Sequence, residues 1–294
     1  MRENEGVDMG AASGASGSEA ASAADSAAAD VSTGAARLRG EDLCLGYGDV
    51  AVARDLNVAI PDGSFTVIVG ANGCGKSTLL RGLARLLAPA SGWVLLDGRD
   101  IAAMGSRDFA RELALLPQSP HIPEGITVAE LVGRGRYPHQ GVFSRPSERD
   151  EEAVTQALAA TGTADFADAL LGELSGGERQ RVWVAMVLAQ DTPIIFLDEP
   201  TTYLDIAYQI ELLDLCARLN REGRTLVAVL HDLNQAARYA SHVIAMKDGR
   251  IVFSGSAEEV FTPENIAEIY GLTAVVIPDP VTGTPMVVPV SAGS

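Results

Sequence analysis

The chain has 294 residues, 47% of them hydrophobic, and a formal net charge of -17. This length and apolar content are enough for one substantial core or two joined subdomains. The acidity argues against a general nucleic-acid binder, because duplex binding needs many Lys and Arg side chains against phosphates, and leaves room only for a local basic patch.

Cysteine usage and hydropathy indicate the setting. Cys44, Cys74 and Cys216 are far apart and form no C-x-x-C pair, so neither a disulfide framework nor a zinc site is expected and a reducing cytoplasm is favoured. The N-terminus lacks the apolar run of a secretory signal, and no apolar stretch approaches the ~20 residues that cross a bilayer. Any membrane role is therefore expected to depend on a partner.

The first predicted region is a tail of residues 1–38. It consists almost entirely of Ala, Ser, Gly and acidic residues, and it has too few large apolar side chains to offset the entropy cost of ordering it. We predict a disordered tail, with a transient helix or a start site further downstream as alternatives. Residues 39–294 are predicted to form the folded domain.

From Glu41 onward the pattern predicts an α/β fold. FTVIVG (65–70), IIFLD (194–198) and TLVAVLHD (225–232) are continuous apolar runs, typical of buried parallel strands. Helical patterns such as KSTLLRGLARLL and IELLDLCARLNREG alternate with them, the second ending at a glycine. The alternation predicts a mostly parallel sheet covered on both faces.

Four further stretches are predicted around this sheet. DLNVAIPDGSFTVIV and GWVLLDGRDI contain Asp-Gly turns between β-type runs and predict an antiparallel flank. Residues 119–190 contain GITVAELVGRGRYP and SERDEEAVTQALAATG, which predict a helical insertion without strands. The C-terminal AVVIPDPVTGTPMVVPV predicts two strands around a Pro-rich turn.

GANGCGKST (70–78) matches G-x-x-x-x-G-K-[ST] between a buried strand and an amphipathic helix, which predicts a phosphate-binding loop. Backbone N–H groups and the helix N-terminus would surround the phosphates. Lys76 is expected to reach the β- and γ-oxygens, Ser77 to give its hydroxyl to Mg²⁺, and Thr78 to add a contact. The predicted nucleotide-binding residues here are Gly70, Ala71, Asn72, Gly73, Cys74, Gly75, Lys76, Ser77 and Thr78.

Two carboxylates follow a later strand in IIFLDEPTTYLD. Asp198 at the strand end is expected to hold Mg²⁺, commonly through water. Glu199 is expected to face the γ-phosphate and to orient or deprotonate the attacking water. In the loop before them, Cys74 is expected to be a small residue that the loop tolerates, with a lowered thiol pKa at the helix start as the alternative.

These motifs together resemble the ATP-binding subunits of ABC transporters. GANGCGKST, LLPQ, LSGGERQR, IIFLDEPTTYLD and VLHD occur in that family's order across roughly residues 41–290. The resemblance implies a P-loop NTPase core with a mostly parallel sheet, an antiparallel β flank, and a helical subdomain at about 119–190. It also implies ATP hydrolysis, with ATP and Mg²⁺ as cofactors.

The resemblance also implies roles by position. Tyr47 in LGYGD matches the aromatic that stacks on adenine, with simple packing as the alternative. Gln118 of LLPQ matches the glutamine that touches Mg²⁺ and the lytic water. His231 matches the histidine that contacts the γ-phosphate, and Asp205 lies in the loop that communicates across a dimer. Glu199, His231, Gln118 and Lys76 form the implied catalytic set, and Ser77, Gln118 and Asp198 the implied metal set.

LSGGE, residues 174–178, is the second implied phosphate site. In the family, Ser175, Gly176 and Gly177 stand at the N-terminus of a helix, here expected to begin near Glu178, and they cap the γ-phosphate held by the other subunit. The device again combines free N–H groups with a helix dipole. It implies a head-to-tail homodimer that buries two ATP molecules. Glu178, where many relatives carry Gln, and Ala71, where Pro is common, do not change this expectation.

A narrower resemblance is to the ATPases of bacterial ferric-siderophore importers, with haem and vitamin B12 importers as close relatives. It is carried by GRGRYPHQ (133–140), by the segments around IIFLDEPTTYLD and VLHDLNQAARYASHVIAMKDGRIVFSG, and by PDPVTGTPMVVP. It implies a peripheral subunit on the cytoplasmic face of the membrane, with permease subunits and, indirectly, an extracytoplasmic siderophore-binding protein as partners. Arg134, Arg136 and Tyr137 are expected to form either a permease contact or an ordinary exposed basic loop.

Other functions stay open at this point. The chain is compatible with the ATPase of a haem or vitamin B12 importer. A soluble ABC ATPase acting on ribosomes or DNA usually fuses two cassettes or carries basic or coiled-coil insertions, which this sequence lacks. A small-molecule kinase would use the phosphate loop but leave LSGGE without a role. Partners outside the chain set the cargo, so the siderophore assignment rests on analogy.

Overall fold

A computed structural model of the chain describes residues 36–118, 124–141, 145–202 and 204–291. The predicted disordered tail lies outside these residues except for its last three positions. Leu38 already begins the first strand and is buried, so the ordered domain starts slightly earlier than predicted.

The strands are β1 (Leu38–Tyr47), β2 (Val50–Ile60), β3 (Phe65–Gly70), β4 (Ser91–Leu96), β5 (Arg99–Asp100), β6 (Leu113–Leu116), β7 (Ile194–Asp198), β8 (Thr225–Val229), β9 (His242–Lys247), β10 (Arg250–Gly255), β11 (Ala274–Pro278) and β12 (Pro285–Pro289). The α-helices are α1 (Lys76–Leu83), α2 (Ser106–Glu112), α3 (Val128–Arg134), α4 (Glu148–Ala160), α5 (Gly176–Ala189), α6 (Ile206–Arg221), α7 (Leu233–Tyr239), α8 (Ala257–Val260) and α9 (Pro263–Tyr270).

The central sheet has the strand order β10-β9-β3-β8-β7-β6, and all neighbours are parallel except β10 and β9. Every residue of β3, β7 and β8 is buried, as the continuous apolar runs predict. Val67 and Val69 face one hydrophobic cluster while Ile68 faces the other, so both faces are covered. The carboxyl ends of β3, β7 and β8 meet at one edge, where the predicted phosphate-binding groups follow each strand.

The predicted antiparallel flank is present as the sheet β2-β1-β4-β5. Asp97 and Gly98 form the turn between β4 and β5, both with positive φ. The other Asp-Gly turn connects strands of two different sheets, β2 and β3. Asp62 and Gly63 bond there to the Thr225 hydroxyl at 3.1 and 2.9 Å, which ties this turn to the start of β8.

The stretch predicted to be a helical insertion contains α3, α4 and α5, which pack against one another. Within its described residues, the β pairing is limited to a bridge between Thr127 and Leu170. Each helix begins at a Ser or Thr whose hydroxyl accepts a backbone N–H three residues on, where an acidic side chain returns the bond. This reciprocal pattern is the capping box, and it fixes where the three helices start.

The C-terminal strands β11 and β12 form the predicted antiparallel hairpin, and the hairpin is anchored on α7. The Asn234 side chain accepts the Val287 N–H at 2.8 Å, and Arg238 donates to the buried Asp279 carboxylate at 2.8 Å. The hairpin therefore attaches the end of the described chain to the helix that follows His231. None of the helices in the described residues has the length and apolar character needed to span a bilayer.

Candidate functional site

The glycine-rich loop runs from the end of β3 to the start of α1. Gly70, Gly73 and Gly75 all have positive φ, and a Cβ at Gly70 would collide with the Met246 carbonyl oxygen in β9. Gly75 precedes α1 without a side-chain cap, so the first N–H groups of this helix are available to an anion.

Lys76 lies against the loop that it belongs to. Its side chain is buried, and Nζ donates to the carbonyl oxygens of Gly70 at 2.8 Å and Ala71 at 3.0 Å. The ammonium group is therefore held directly beside the loop glycines, close to where phosphate oxygens would lie.

Ser77 and Asp198 bring α1 and β7 together. The Ser77 hydroxyl donates to Asp198 Oδ1 at 2.8 Å, and Asp198 is only 1% exposed. Burial raises the pKa of the Asp198 carboxyl, and the Ser77 hydrogen bond opposes that shift. The pair places a hydroxyl and a desolvated carboxylate beside the loop.

Glu199 carries the second carboxylate and is held by two side chains. Gln118 Nε2 donates to Oε2 at 2.7 Å, and His231 Nε2 lies 2.8 Å from Oε1. Glu199 has a backbone φ of 53°, a value that residues other than glycine rarely adopt, so the backbone turns sharply after β7. Three strand ends thus converge on one carboxylate.

Most of these groups line a cleft of about 450 Å³. The predicted residues along its wall are Asn72, Gly73, Gly75, Lys76, Ser77, Thr78, Gln118, Glu199 and His231. Val52 of β2 also lines the cleft. Val52 is not among the predicted site residues, because an apolar residue in a β-type run carries no chemical signal.

Four predicted nucleotide-binding residues at or near the loop do not line this cleft, and neither does the predicted metal ligand Asp198; the four are Tyr47, Gly70, Ala71 and Cys74. Tyr47 ends β1, is 47% exposed, and accepts a hydrogen bond from Arg81 Nη1 at 3.3 Å. Cys74 is buried. Burial raises the pKa of the Cys74 thiol although Lys76 opposes the shift, so the alternative of an activated low-pKa thiol is wrong.

The Ser175 turn is exposed and does not line the cleft of its own chain. Ser175 Oγ accepts the Glu178 N–H at 3.3 Å, and the Glu178 carboxylate accepts the Ser175 N–H at 2.7 Å. Helix α5 therefore begins at Gly176, two residues before the predicted start. The bonds from Ser175 lower the pKa of Glu178, and Arg181 adds a smaller effect.

The segment after Glu199 is tied to neighbouring helices. Gln180 of α5 donates to the Pro200 carbonyl oxygen at 3.2 Å. Asp205 caps α6 by accepting the Tyr208 N–H at 3.0 Å. The cleft and the N-terminal half of α5 are thus connected through this segment.

The predicted exposed loop GRGRYPHQ is only partly exposed. Arg134 and Tyr137 are at the surface, but Arg136 is buried and paired with Asp150. The prediction of a surface contact is therefore wrong for Arg136, because its carboxylate partner lies 14 residues away and gives no local signal. Among the other histidines, His139 bonds to the Gln190 carbonyl and His242 to Ser254, whereas His121 lies outside the described residues.

The fold and the site define a class of protein. A glycine-rich loop between a buried parallel strand and a helix, beside a buried strand-end carboxylate, is the site of a P-loop nucleoside triphosphatase.

Comparison with known proteins gives the family. The chain belongs to the ABC transporter family, and the sequence model of that family matches residues 53–202. It is 60% identical over 255 residues to the ferric enterobactin transport ATP-binding protein FepC of Escherichia coli (strain K12), covering 86% of this chain and 94% of that protein. It is 54% identical to the probable siderophore transport system ATP-binding protein YusV of Bacillus subtilis (strain 168), covering 86% of this chain and 92% of the relative.

Solved structures of ABC transporters and their ATP-binding cassettes match the fold of this chain. An ABC transporter in an inward-facing conformation matches with a TM-score of 0.75 at 26% identity, covering 88% of this chain and 98% of that chain. A dimeric bacterial ABC transporter cassette, MJ0796, matches with a TM-score of 0.68 at 27% identity, covering 74% of this chain and 98% of that chain. The predicted family, its ATPase class and its fold are confirmed, and ATP is the nucleotide of the family.

Proposed function

We propose that this chain is the ATP-hydrolysing subunit of an importer for iron–siderophore complexes. The observation that carries the ATP-hydrolysing role is the position of Glu199, 2.7 Å from Gln118 and 2.8 Å from His231 beside the phosphate loop. The names of the relatives support the cargo. Relatives at 47–60% identity are named for enterobactin, siderophore, petrobactin, iron-hydroxamate and achromobactin systems. A cobalamin import protein of Halobacterium salinarum is 41% identical, which favours the siderophore over the vitamin B12 alternative.

Nucleotide binding would exchange bonds within the loop for bonds to phosphate. Lys76 Nζ would leave the Gly70 and Ala71 carbonyl oxygens for the β- and γ-phosphate oxygens, which are stronger, charged acceptors. The N–H groups at the start of α1 would hold the β-phosphate. Tyr47 would stack on the base, and Val52 would add an apolar wall.

The residues beside the loop fit a magnesium ion. A hydroxyl, a desolvated carboxylate and an amide oxygen, from Ser77, Asp198 and Gln118, are the oxygen ligands that Mg²⁺ takes, usually together with water and phosphate oxygens. The described residues contain no cluster of three or more His, Cys, Asp or Glu suited to a metal, so nucleotide oxygens would complete the shell. Bound Mg²⁺ would neutralise charge that develops on the phosphates.

Hydrolysis would depend on Glu199 and its two partners. The carboxylate would orient or deprotonate water for in-line attack, with Gln118 holding the water and His231 contacting the γ-phosphate. Most of the catalysis would then come from positioning and electrostatic stabilisation.

The active form would be a head-to-tail homodimer. Ser175, Gly176 and Gly177 are exposed or half-exposed and lie off the cleft of their own chain, as expected of a turn that serves the nucleotide of a second copy. The helix dipole and the backbone N–H groups of Gly176 and Gly177 suit an anion. The helical segment of about 119–190 would be a subdomain that moves with this turn.

Membrane permease subunits would be the partners that convert this cycle into transport. The chain would sit on the cytoplasmic face of the membrane, held by the permease, with an extracytoplasmic siderophore-binding protein as an indirect partner. Nucleic acid is not expected as a partner, given the net charge of -17.

Two substitutions test the proposal. Lys76→Ala should abolish ATPase activity, whereas Lys247→Ala, at a lysine that does not line the cleft, should leave it unchanged. Glu199→Gln should retain ATP binding, lose about 10²-fold or more in turnover, and form a stable MgATP-dependent dimer in size-exclusion chromatography. A Glu199→Gln variant that hydrolyses ATP at the unmodified rate would contradict the assigned role.

Deletion of the gene should impair growth on siderophore-bound iron and spare growth on free iron.

A further inference from the structure

Arg136 joins two helices through one buried guanidinium. Its side chain is 3% exposed; Nε donates to Asp150 Oδ1 at 2.9 Å and Nη1 donates to the Ala189 carbonyl oxygen at 2.8 Å. Asp150 lies in the first turn of α4, and Ala189 is the last residue of α5. The planar guanidinium therefore fixes the start of one helix against the end of the other.

The carboxylate partner is fully engaged. Asp150 also accepts the Ser147 N–H at 2.9 Å and the Ser147 hydroxyl at 2.8 Å. Burial raises the pKa of Asp150, but the bonds from Ser147 and Arg136 outweigh it and lower the pKa to about 2. Removal of Arg136 would leave a buried charge without its counterion, which is strongly unfavourable.

The end of α5 is held from the other side as well. A Cβ at Gly135 would collide with the Met186 carbonyl oxygen, so α3 and α5 are in close backbone contact. Gln190, next after α5, donates to the carbonyl oxygens of Ala110 and Leu113 at 2.6 and 3.1 Å. The C-terminal end of α5 is thus fixed both to the Arg136 segment and to the core.

Arg136 and Asp150 also line a groove of about 780 Å³ beside α3 and α4. Helix α5 has 14 residues and is therefore about 21 Å long. Its far end carries Ser175, whereas its near end is bonded to Arg136. If α5 keeps its regular geometry, a tilt at its C-terminal end displaces the Ser175 turn at its N-terminal end.

We propose that Arg136 is a positioning residue that sets the direction of α5 and so the location of the Ser175 turn over the nucleotide. This inference rests on the proposed role of that turn. A misplacement of about 1 Å is enough to cost about 10²-fold in rate.

Three variants of the full chain test this role in a Trp93→Phe background, which leaves Trp183 of α5 as the reporter. Arg136→Met should lower kcat by about 10-fold or more with KM for ATP within about 2-fold, since no cleft residue changes. Arg136→Lys keeps the charge but not the planar geometry, so its kcat should lie between those of Arg136→Met and the chain with Arg136 intact. Arg134→Met removes an exposed arginine from the same segment and should leave both constants unchanged.

Acrylamide quenching of Trp183, measured without nucleotide, gives a readout independent of turnover. The buried Trp183 should become more accessible in Arg136→Met and stay unchanged in Arg134→Met. Unchanged kcat and unchanged quenching in a folded Arg136→Met variant would overturn the inference. A loss of kcat/KM that comes from a rise in KM, with kcat unchanged, would overturn it as well. If Arg136→Met does not fold, Arg136→Lys decides by the same criteria. An unmodified chain without ATPase activity would instead contradict the proposed function, while quenching would still decide the role of Arg136.

Discussion

Ser175 has two separable tasks, and a matched pair of substitutions can separate them. Its hydroxyl accepts the Glu178 N–H at 3.3 Å, and the Glu178 carboxylate accepts the Ser175 N–H at 2.7 Å. Ser256 and Glu259 make the same two bonds at the start of α8, also at 3.3 and 2.7 Å. No phosphate contact is proposed for the second capping box, so it reproduces the local structure of the first without its proposed chemistry.

The structural part of the effect should be similar in both variants. Replacing an N-cap Ser by Ala costs about 1 kcal/mol, so Ser175→Ala and Ser256→Ala should each lower Tm by roughly 2 °C. The catalytic part should differ. In Ser175 the oxygen uses a lone pair for the cap, which leaves its O–H free to donate to a phosphate oxygen. Loss of one such preorganised donor costs about 10²-fold or more in kcat.

The assay is steady-state phosphate release at saturating MgATP, with thermal unfolding measured on the same samples. Ser175→Ala should lose turnover while retaining ATP binding, and Ser256→Ala should match the unmodified chain. Equal turnover in the two variants would refute the proposed phosphate contact and leave Ser175 as a helix cap alone.

Two further predictions follow from the pKa shifts. The Arg238 side chain, followed by the Val281 N–H, lowers the pKa of Asp279 to about 2. Because the folded pKa lies below the unfolded value of about 3.9, the stabilisation is complete above about pH 4 and is lost as pH falls through about 2. Urea unfolding should therefore show a stability difference between the unmodified chain and Arg238→Gln at neutral pH that shrinks in acid; a constant difference would contradict the ion pair. Burial raises the pKa of the Cys74 thiol, so N-ethylmaleimide at neutral pH should label the part-exposed Cys44 first, as read by peptide mass spectrometry. Faster labelling of Cys74 would show that the loop exposes it.

The sequence predicts the central sheet and its cleft well because the signals there are local. A continuous apolar run such as 194–198 is typical of a strand in a parallel sheet that is covered on both faces. The glycines and Lys76 of the phosphate loop have fixed spacing because one turn must both wrap an anion and start a helix. Gln118 and His231 carry no such local signal, and their predicted roles come from the family resemblance. Both side chains reach the Glu199 carboxylate because their strands end at the same edge of the sheet.

Other features depend on contacts that no local pattern contains. Arg136 is buried because Asp150 and the end of α5 surround it, and the sequence around it resembles an exposed basic loop. Helix α1 ends at Leu83, earlier than its apolar periodicity indicates, because Arg85 adopts positive φ. The start of α5 had a usable signal, since Ser175 and Glu178 have capping-box spacing.

The anchoring of the C-terminal hairpin on α7 limits how this protein can be shortened. A version ending before Ala274 would remove the backbone that Asn234 bonds and the carboxylate that Arg238 needs, three and seven residues after His231. Trimming for crystallisation or for fusion to a reporter should therefore retain residues 274–289, since their loss would loosen the support of His231 from behind.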